Sequence, residues 1–291
     1  MAAMKVIRAR TLGFCPGVRR AVEAAEMAAA GASASGRPAF VLGQIVHNPR
    51  VSARLESLGM RRVDEAGLDA SGKAVPAGAV VVIRSHGAAP GVFDRLRSTG
   101  ARIVDATCPR VATNQKAAAS FAARGFLVVI AGDKGHGETL GVAGWAPGAI
   151  VVSSPEEARS VPVDRPITLI AQTTISETEY DAIRAAILER RADLVDSGGV
   201  CGASRERQAA VAGFLGRVDA VLVVGGKNSA NTRRLAELSS SLGLPTWHVE
   251  SAADIPAELG AYGIVGLTAG ASTPDEDIDE AEAALAALSR R

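Results

Sequence analysis

Three segments of the chain read alike: GFCPGVRRAVEAA at residues 13–25, DATCPRVATNQKAAA at 105–119 and GGVCGASRERQAAVA at 198–212. In each, one cysteine is followed by an Ala-rich stretch with apolar residues at helical spacing, so each cysteine is predicted to open a helix. Pro16 and Pro109 directly follow two of the cysteines. The first helical turn accepts proline, because the N–H it lacks would have no intrahelical partner there. Cys15, Cys108 and Cys201 are separated by two equal intervals of 93 residues. Equal intervals of this size point to one module present three times.

Around these segments, short β-branched runs alternate with helical stretches. FVLGQIV (40–46), VVVIRS (80–85), FLVVIAG (126–132), ITLIAQ (167–172), AVLVVGG (220–226) and GIVGLTAG (263–270) read as strands, and VRRAVEAAEMAAA (18–30) as an amphipathic helix. The alternation predicts an α/β fold of βαβ units with largely parallel sheets, whose ligands sit in loops at the carboxyl ends of strands. After each cysteine a strand ends in glycine with a polar residue four positions on: Gly43 with His47, Gly132 with His136, Gly225 with Ser229. A later strand ends in a second polar loop, with His86 in RSHG, Thr173 and Thr174 in AQTT, and Thr268 and Ser272 in LTAGAS. The implied division is three similar αβ domains at 1–100, 101–196 and 197–291, the last ending in a helix. A pseudo-threefold arrangement would bring the three cysteines to one centre, with the polar loops around it.

The composition narrows the possible partners. With 291 residues, 47% of them hydrophobic and 22% charged, the chain is long enough for two or three well-packed domains. Lys plus Arg (32) nearly balance Asp plus Glu (31), leaving a formal charge of +1 and no global field to hold nucleic acid or an anionic membrane. Any anionic ligand is then held by local donors. Aromatic residues, at 3%, are too few for the stacking platforms that bind single-stranded nucleic acid. The opening MAAMKVIRAR has no long apolar core, and no apolar run approaches the roughly 20 residues that span a bilayer. A cytoplasmic protein with three reduced thiols is expected, because an odd number of widely spaced cysteines does not suit a disulfide framework.

A helix N-terminus presents unpaired N–H groups and the positive end of the macrodipole, which favours thiolate over thiol. Three soft ligands suit an iron-sulfur cluster, and with no fourth cysteine one iron would lack a protein thiolate and stay open to substrate. Structural zinc is a competing reading, although paired C-x-x-C spacing is missing. A single nucleophilic cysteine explains one of the three positions and none of the repeat, while a buried inert thiol is the default for any one cysteine. His47, His86 and His136 are three of only four histidines and all fall at expected strand ends, which favours anion binding. GGKNSAN (225–231) and TAGASTPD (268–275) add Gly-rich backbone, hydroxyls and an amide that can cradle phosphate oxygens. Glu138, two residues after His136, would be an acid if kept protonated near an open iron, and Thr173 and Thr174 could relay its proton or orient substrate.

With these residues assembled, the chain closely resembles the 4-hydroxy-3-methylbut-2-enyl diphosphate reductase (LytB) family, whose members act last in the methylerythritol phosphate route to isoprenoids. The motifs occur in order as GFCPGVRRA, IVHN, RSHG, DATCP, GHGETLG, AQTT, VCGASRERQ, VVGGKNSANTRRLAEL and TAGASTPD, from residue 13 to 275. The resemblance implies a trefoil of three αβ domains around one 4Fe-4S cluster on Cys15, Cys108 and Cys201, with one open iron that binds the substrate hydroxyl. It implies a diphosphate site of His47, His86, His136, Thr174, Ser229, Asn231 and Ser272, with Glu138 and Thr173 delivering protons. It also implies an allylic diphosphate substrate, and ferredoxin or flavodoxin as electron donor.

Four positions depart from the family pattern: Ala230 stands for a serine, Gly137 for a common proline, Gly202 for a frequent aromatic and Ser204 for threonine. They leave room for a paralogue acting on a related diphosphate. A non-enzymatic iron-sulfur sensor would need the cysteines but leave His47, His86 and Asn231 idle. A sugar- or nucleotide-binding αβ protein would need the pocket but not three equivalent cysteines.

Overall fold

The computed structural model describes residues 4–68 and 74–288; residues 1–3, part of the opening stretch read above, lie outside it. The described residues build three four-stranded sheets, every strand pair parallel. The first sheet holds β2 (Ala39–Leu42), β3 (Met60–Val63), β4 (Val80–Ile83) and β5 (Arg102–Asp105) in the order β3-β2-β4-β5. The second holds β6 (Leu127–Ala131), β7 (Ile150–Val152), β8 (Ile167–Ala171) and β9 (Val195–Gly198) in the order β7-β6-β8-β9. The third holds β10 (Ala220–Val224), β11 (Thr246–Val249) and β12 (Ile264–Ala269) in the order β11-β10-β12, and its fourth strand is β1 (Lys5–Arg8). All three sheets therefore share one strand order, as a duplicated module requires.

The position of β1 corrects the division expected from the sequence at 1–100, 101–196 and 197–291. Residues 4–16 form one compact unit with 47–49 and 201–288, and residues 17–46, 50–68 and 74–200 form the other. β5 lies past residue 100 yet completes the first sheet, and β9 runs past 196 to complete the second. The physical reason is the edge of each sheet. In the first two modules, the strand after the third one pairs with it and then runs into the next cysteine. After β12 the described residues form α10 (Asp275–Leu288), and the edge of β12 is paired by β1, from Lys5 with Ile264 to Arg8 with Leu267. Each sheet is thus closed by the strand that precedes a cysteine.

Helices cover both faces of the sheets, so the inner strands are apolar throughout. In the second sheet, Leu127, Val129, Leu169 and Ala171 pack on Tyr180, Ile183 and Ile187 of α7 (Glu177–Leu188). Val128, Ile130 and Ile170 pack on the opposite side against Val111 and Ala118 of α4 (Pro109–Ala123) and Val142 of α5 (Gly137–Ala143). The third sheet repeats this: Leu222, Val224, Leu267 and Ala269 meet Ile278 and Leu285 of α10, and Val221 and Val223 meet Val211 of α8 (Gly202–Ala212) and Leu235 of α9 (Ala230–Ser241). Leu222→Ala, at a fully buried position of a central strand, is expected to destabilise the protein by about 2–5 kcal/mol. A lowered urea midpoint with unchanged slope is the readout. An unchanged midpoint would mean that the sheet is not the core of its unit.

The expected strand at 40–46 is shorter than its apolar pattern. It ends at Leu42, because Gly43 takes a left-handed conformation (φ 66°) and donates its N–H to Val63 O at 2.8 Å. Gly132 and Gly225 make the equivalent bonds to Val152 O and Val249 O, each at 2.9 Å. The three glycines found in the sequence thus occupy one structural position, and the residues after them form the loops that carry His47, His136 and Ser229. No helix among the described residues is long and apolar enough to cross a membrane.

Candidate functional site

All three cysteines stand at helix openings, as their sequence context predicts. Cys108 is the N-cap of α4 (φ −57°, ψ 133°) and Cys201 the N-cap of α8 (φ −61°, ψ 132°), the same backbone geometry within a few degrees. Cys15 immediately precedes α1 (Pro16–Ala34). None of the three is in a disulfide, and neither the Cys108 nor the Cys201 side chain caps its helix. Their backbones are anchored to strand-end loops: Cys15 N–H donates to Ala271 O at 3.2 Å, and Cys108 N–H to Ser85 O at 2.9 Å. Those acceptors lie in the loops after β12 and β4, equivalent places in two modules.

In the unit that contains Cys15 and Cys201, candidate phosphate ligands converge on the N-terminus of α9. Ser229 is its N-cap, its hydroxyl accepting from Thr232 N–H at 3.3 Å. Asn231 is 3% exposed, and its Oδ1 accepts from Ala271 N–H at 2.8 Å. That bond fixes which way the amide points. Its Nδ2 is buried and has no hydrogen-bond partner among the described residues. A buried amide donor left in this state costs free energy unless a ligand accepts from it. Ser272 Oγ donates to His47 O at 3.2 Å and lies 3.4 Å from Ser229 Oγ. The backbone of His47 also approaches Gly226 so closely that a Cβ there would sit 2.5 Å from His47 O. The structure therefore brings the His47 backbone, Ser229, Asn231 and Ser272 together at the positive end of a helix. Asn231→Ala is expected to weaken binding of a diphosphate about tenfold to a hundredfold, the effect of losing one hydrogen bond to a charged group. Calorimetric titration of the variant checks this, and unchanged affinity would remove Asn231 from the site.

The other unit holds the proton-handling candidates. Glu138, in the first turn of α5, is 1% exposed. Its Oε1 accepts from the Thr173 N–H and its Oε2 from the Thr173 hydroxyl, each at 2.7 Å. His136 caps α5 by accepting the Glu138 N–H on Nδ1 at 3.1 Å, which places the proton of the neutral ring on Nε2. The His86 ring stands edge-on to it, 5.2 Å between centroids. The Thr174 hydroxyl accepts from Gln172 Nε2 at 2.9 Å. Gln172 in turn accepts from Asp133 N–H at 2.7 Å, tying the loop of Thr173 to the loop of His136.

Three further residues near these candidates escape the motif reading. Gln172 is one. Arg84, the first residue of RSHG, pairs with Glu65 at 2.6 Å and lies against Gly137, where a Cβ would come within 3.4 Å of its Nη2. A Cβ at Gly137 would thus make only ordinary contact with the guanidinium. Arg207, in VCGASRERQ, is 3% exposed and lies near Cys15 and Cys201. Burial pulls its guanidinium below the ordinary value, opposed by its Coulombic interactions with Cys15, Glu206 and Cys201. The remaining departures are accommodated simply. A Cβ at Gly202 would meet nothing within 4 Å, Ala230 opens α9 and is buried, and Ser204 is buried on α8.

Comparison with known proteins agrees over almost the whole length. The LytB protein family matches residues 6–286. A protein of Treponema denticola named 4-hydroxy-3-methylbut-2-enyl diphosphate reductase is 41% identical, over 97% of this chain and 99% of its own. A protein of the same name from an Anaeromyxobacter species is 40% identical, over 94% and 93%. Among solved structures, the E-1-hydroxy-2-methyl-but-2-enyl-4-diphosphate reductase of Plasmodium falciparum aligns with TM-score 0.87 and 25% identity, over 96% of this chain and 87% of that one. A second, described as (E)-4-hydroxy-3-methyl-but-2-enyl diphosphate reductase, the terminal enzyme of the non-mevalonate pathway, aligns with TM-score 0.69 and 33% identity, over 97% and 99%. By sequence and by fold, this chain belongs to the LytB protein family.

Proposed function

We propose that the chain reduces 4-hydroxy-3-methylbut-2-enyl diphosphate to isopentenyl and dimethylallyl diphosphates, with one 4Fe-4S cluster held by Cys15, Cys108 and Cys201 and one iron left without a protein ligand. The observation that carries this reading is the Asn231 amide: a buried donor, fixed in orientation by Ala271, offered beside two hydroxyls at a helix N-terminus. Such a donor fits an anionic oxygen and does not fit a cluster-only sensor. The cysteines fit the cofactor, since Cys108 and Cys201 share one helix-opening geometry, Cys15 directly precedes α1, and Arg207 is bonded to the backbone beside Cys15 and Cys201.

The reaction replaces a C–O bond by C–H: the allylic alcohol takes up two electrons and two protons and releases water. The cluster, when bound, supplies electrons one at a time and a Lewis-acidic iron. The protein supplies the rest. Asn231, Ser229 and Ser272, with His47, His86 and His136, hold the diphosphate by charge-assisted hydrogen bonds. Glu138 holds a proton, and the Thr173 hydroxyl, already bonded to it, passes that proton to the leaving oxygen. Thr174 orients the Thr173 loop through Gln172. Ferredoxin or flavodoxin, present in the cytoplasm, fits the need for one-electron delivery.

Anaerobic reconstitution followed by absorption spectroscopy and product analysis tests this reading. A charge-transfer spectrum that changes on adding the substrate, followed by formation of both products under a chemical reductant, is expected. An intact cluster with no turnover of this substrate would overturn it in favour of a paralogue acting on a related diphosphate.

A further inference from the structure

The geometry points to Arg207 as a positioning residue that clamps the Cys15 loop to the Cys201 helix and places a fixed positive charge beside both sulfurs, raising the reduction potential of the cluster. This inference rests on the cluster proposed above. Arg207 lies on α8, six residues after Cys201, and is 3% exposed. Its Nη2 and Nε both donate to Gly13 O, at 2.6 and 3.2 Å, and its Nη1 donates to Ala203 O at 2.7 Å. Gly13 stands two residues before Cys15 and Ala203 two residues after Cys201, so one side chain joins the backbones next to two thiols. Gly13 is held in this place tightly: it is left-handed (φ 73°), and a Cβ on it would come 2.8 Å from Ile278 Cδ1.

Both acceptors are neutral carbonyls, and no carboxylate among the described residues forms an ion pair with Arg207. Arginine is almost never buried without a compensating charge. The groups that oppose its desolvation are Cys15, Glu206 and Cys201, and Glu206 is itself exposed to solvent. Arg207 is thus bonded to the backbone beside Cys15 and Cys201 with no carboxylate partner, and a cluster held on those two sulfurs would supply the missing negative charge. Comparison of the modules separates this role from folding. Six residues after Cys15 stands Ala21, and six after Cys108 stands Asn114, whose Nδ2 donates to Ala171 O at 2.9 Å. Two modules with the same strand order manage without a cation at this position, so the fold does not require one.

Each electron taken up makes a cluster one unit more negative, and a fixed positive charge in a dry site favours that state with little screening by salt. The experiment is an EPR-monitored potentiometric titration of the reconstituted holoenzyme and of R207Q and R207K. R207Q keeps a donor and loses the charge. It is expected to lower the midpoint potential by at least the about 59 mV that a tenfold change represents for a one-electron couple. R207K, which keeps the charge, is expected to stay close to the parent. A cluster-loaded R207Q with the parent's potential overturns the inference. So does failure of both variants to take up a cluster, because the role would then be structural alone. Uptake by R207K but not R207Q upholds the need for charge. If the parent protein itself binds no cluster, the proposed function fails, a result distinct from any of these.

Discussion

Cys108→Ala is expected to yield a folded protein that retains no stable cluster and does not reduce the substrate. The backbone at this position is fixed independently of the thiol: its N–H donates to Ser85 O and its carbonyl accepts from Ala112 N–H, each at 2.9 Å. Pro109 presets the first helical turn, and the cysteine side chain makes no capping bond that α4 would lose. The substitution should therefore cost about 1 kcal/mol of stability. On the proposed cluster the ligand count, by contrast, falls from three thiolates to two, with one iron already lacking a protein ligand. Iron and sulfide analysis after anaerobic reconstitution, with a thermal melt of the same sample, gives both halves of the result. An iron content equal to that of the parent would remove Cys108 from the ligand set, and a collapsed melting curve would assign the cysteine to folding.

The strands legible in the sequence share one property. All six runs read as strands contain a central strand of a sheet: β2, β4, β6, β8, β10 and β12. Those strands are buried on both faces, so they appear as unbroken apolar runs. The six that escaped are edges, with sequences such as KVIR, MRRV, RIVD and VDSG. An edge strand half open to solvent carries charge, which blunts unwanted pairing and also erases its periodicity. For the same reason the domain boundaries were misplaced: β1, β5 and β9 are edge strands, and each belongs to the sheet that ends just before a cysteine.

The site was legible where a residue type is rare or repeated. Three cysteines and three histidines stand out against a chain built from Ala, Val, Leu and Ile, and equal spacing reinforces them. Gln172 and Arg84 did not stand out, because their roles depend on which loops approach each other: Gln172 on Asp133, Arg84 on Gly43 and Gly137. Arg207 was hidden differently. It is one of 32 basic residues in a neutral chain, and only burial distinguishes it from those that stand in solvent.

Glu138→Gln is expected to slow single-turnover reduction by about 10²–10⁴, the range of general acid catalysis, while leaving cluster content and substrate affinity near those of the parent. The carboxylate accepts the Thr173 N–H on one oxygen and the Thr173 hydroxyl on the other. Glutamine has the same shape. Its carbonyl can take the N–H bond, and its amide then donates to the Thr173 oxygen, turning the hydroxyl hydrogen away. The loop therefore stays in place, but the amide has no proton to release, and hydroxide is a poor leaving group without one. Thr173→Val removes the relay and one of the two bonds to Glu138, keeping the β-branched shape and the backbone N–H. Its effect should be smaller wherever a water molecule can take the hydroxyl's place. Pre-reduced, cluster-loaded protein mixed with substrate in a single turnover isolates these steps from electron delivery. A Glu138→Gln rate within about threefold of the parent, far inside the range for loss of a general acid, would show that the proton comes from elsewhere. An ordered water would then be the better candidate, because His136 accepts the Glu138 N–H on Nδ1 and a neutral ring has no acidic proton to release.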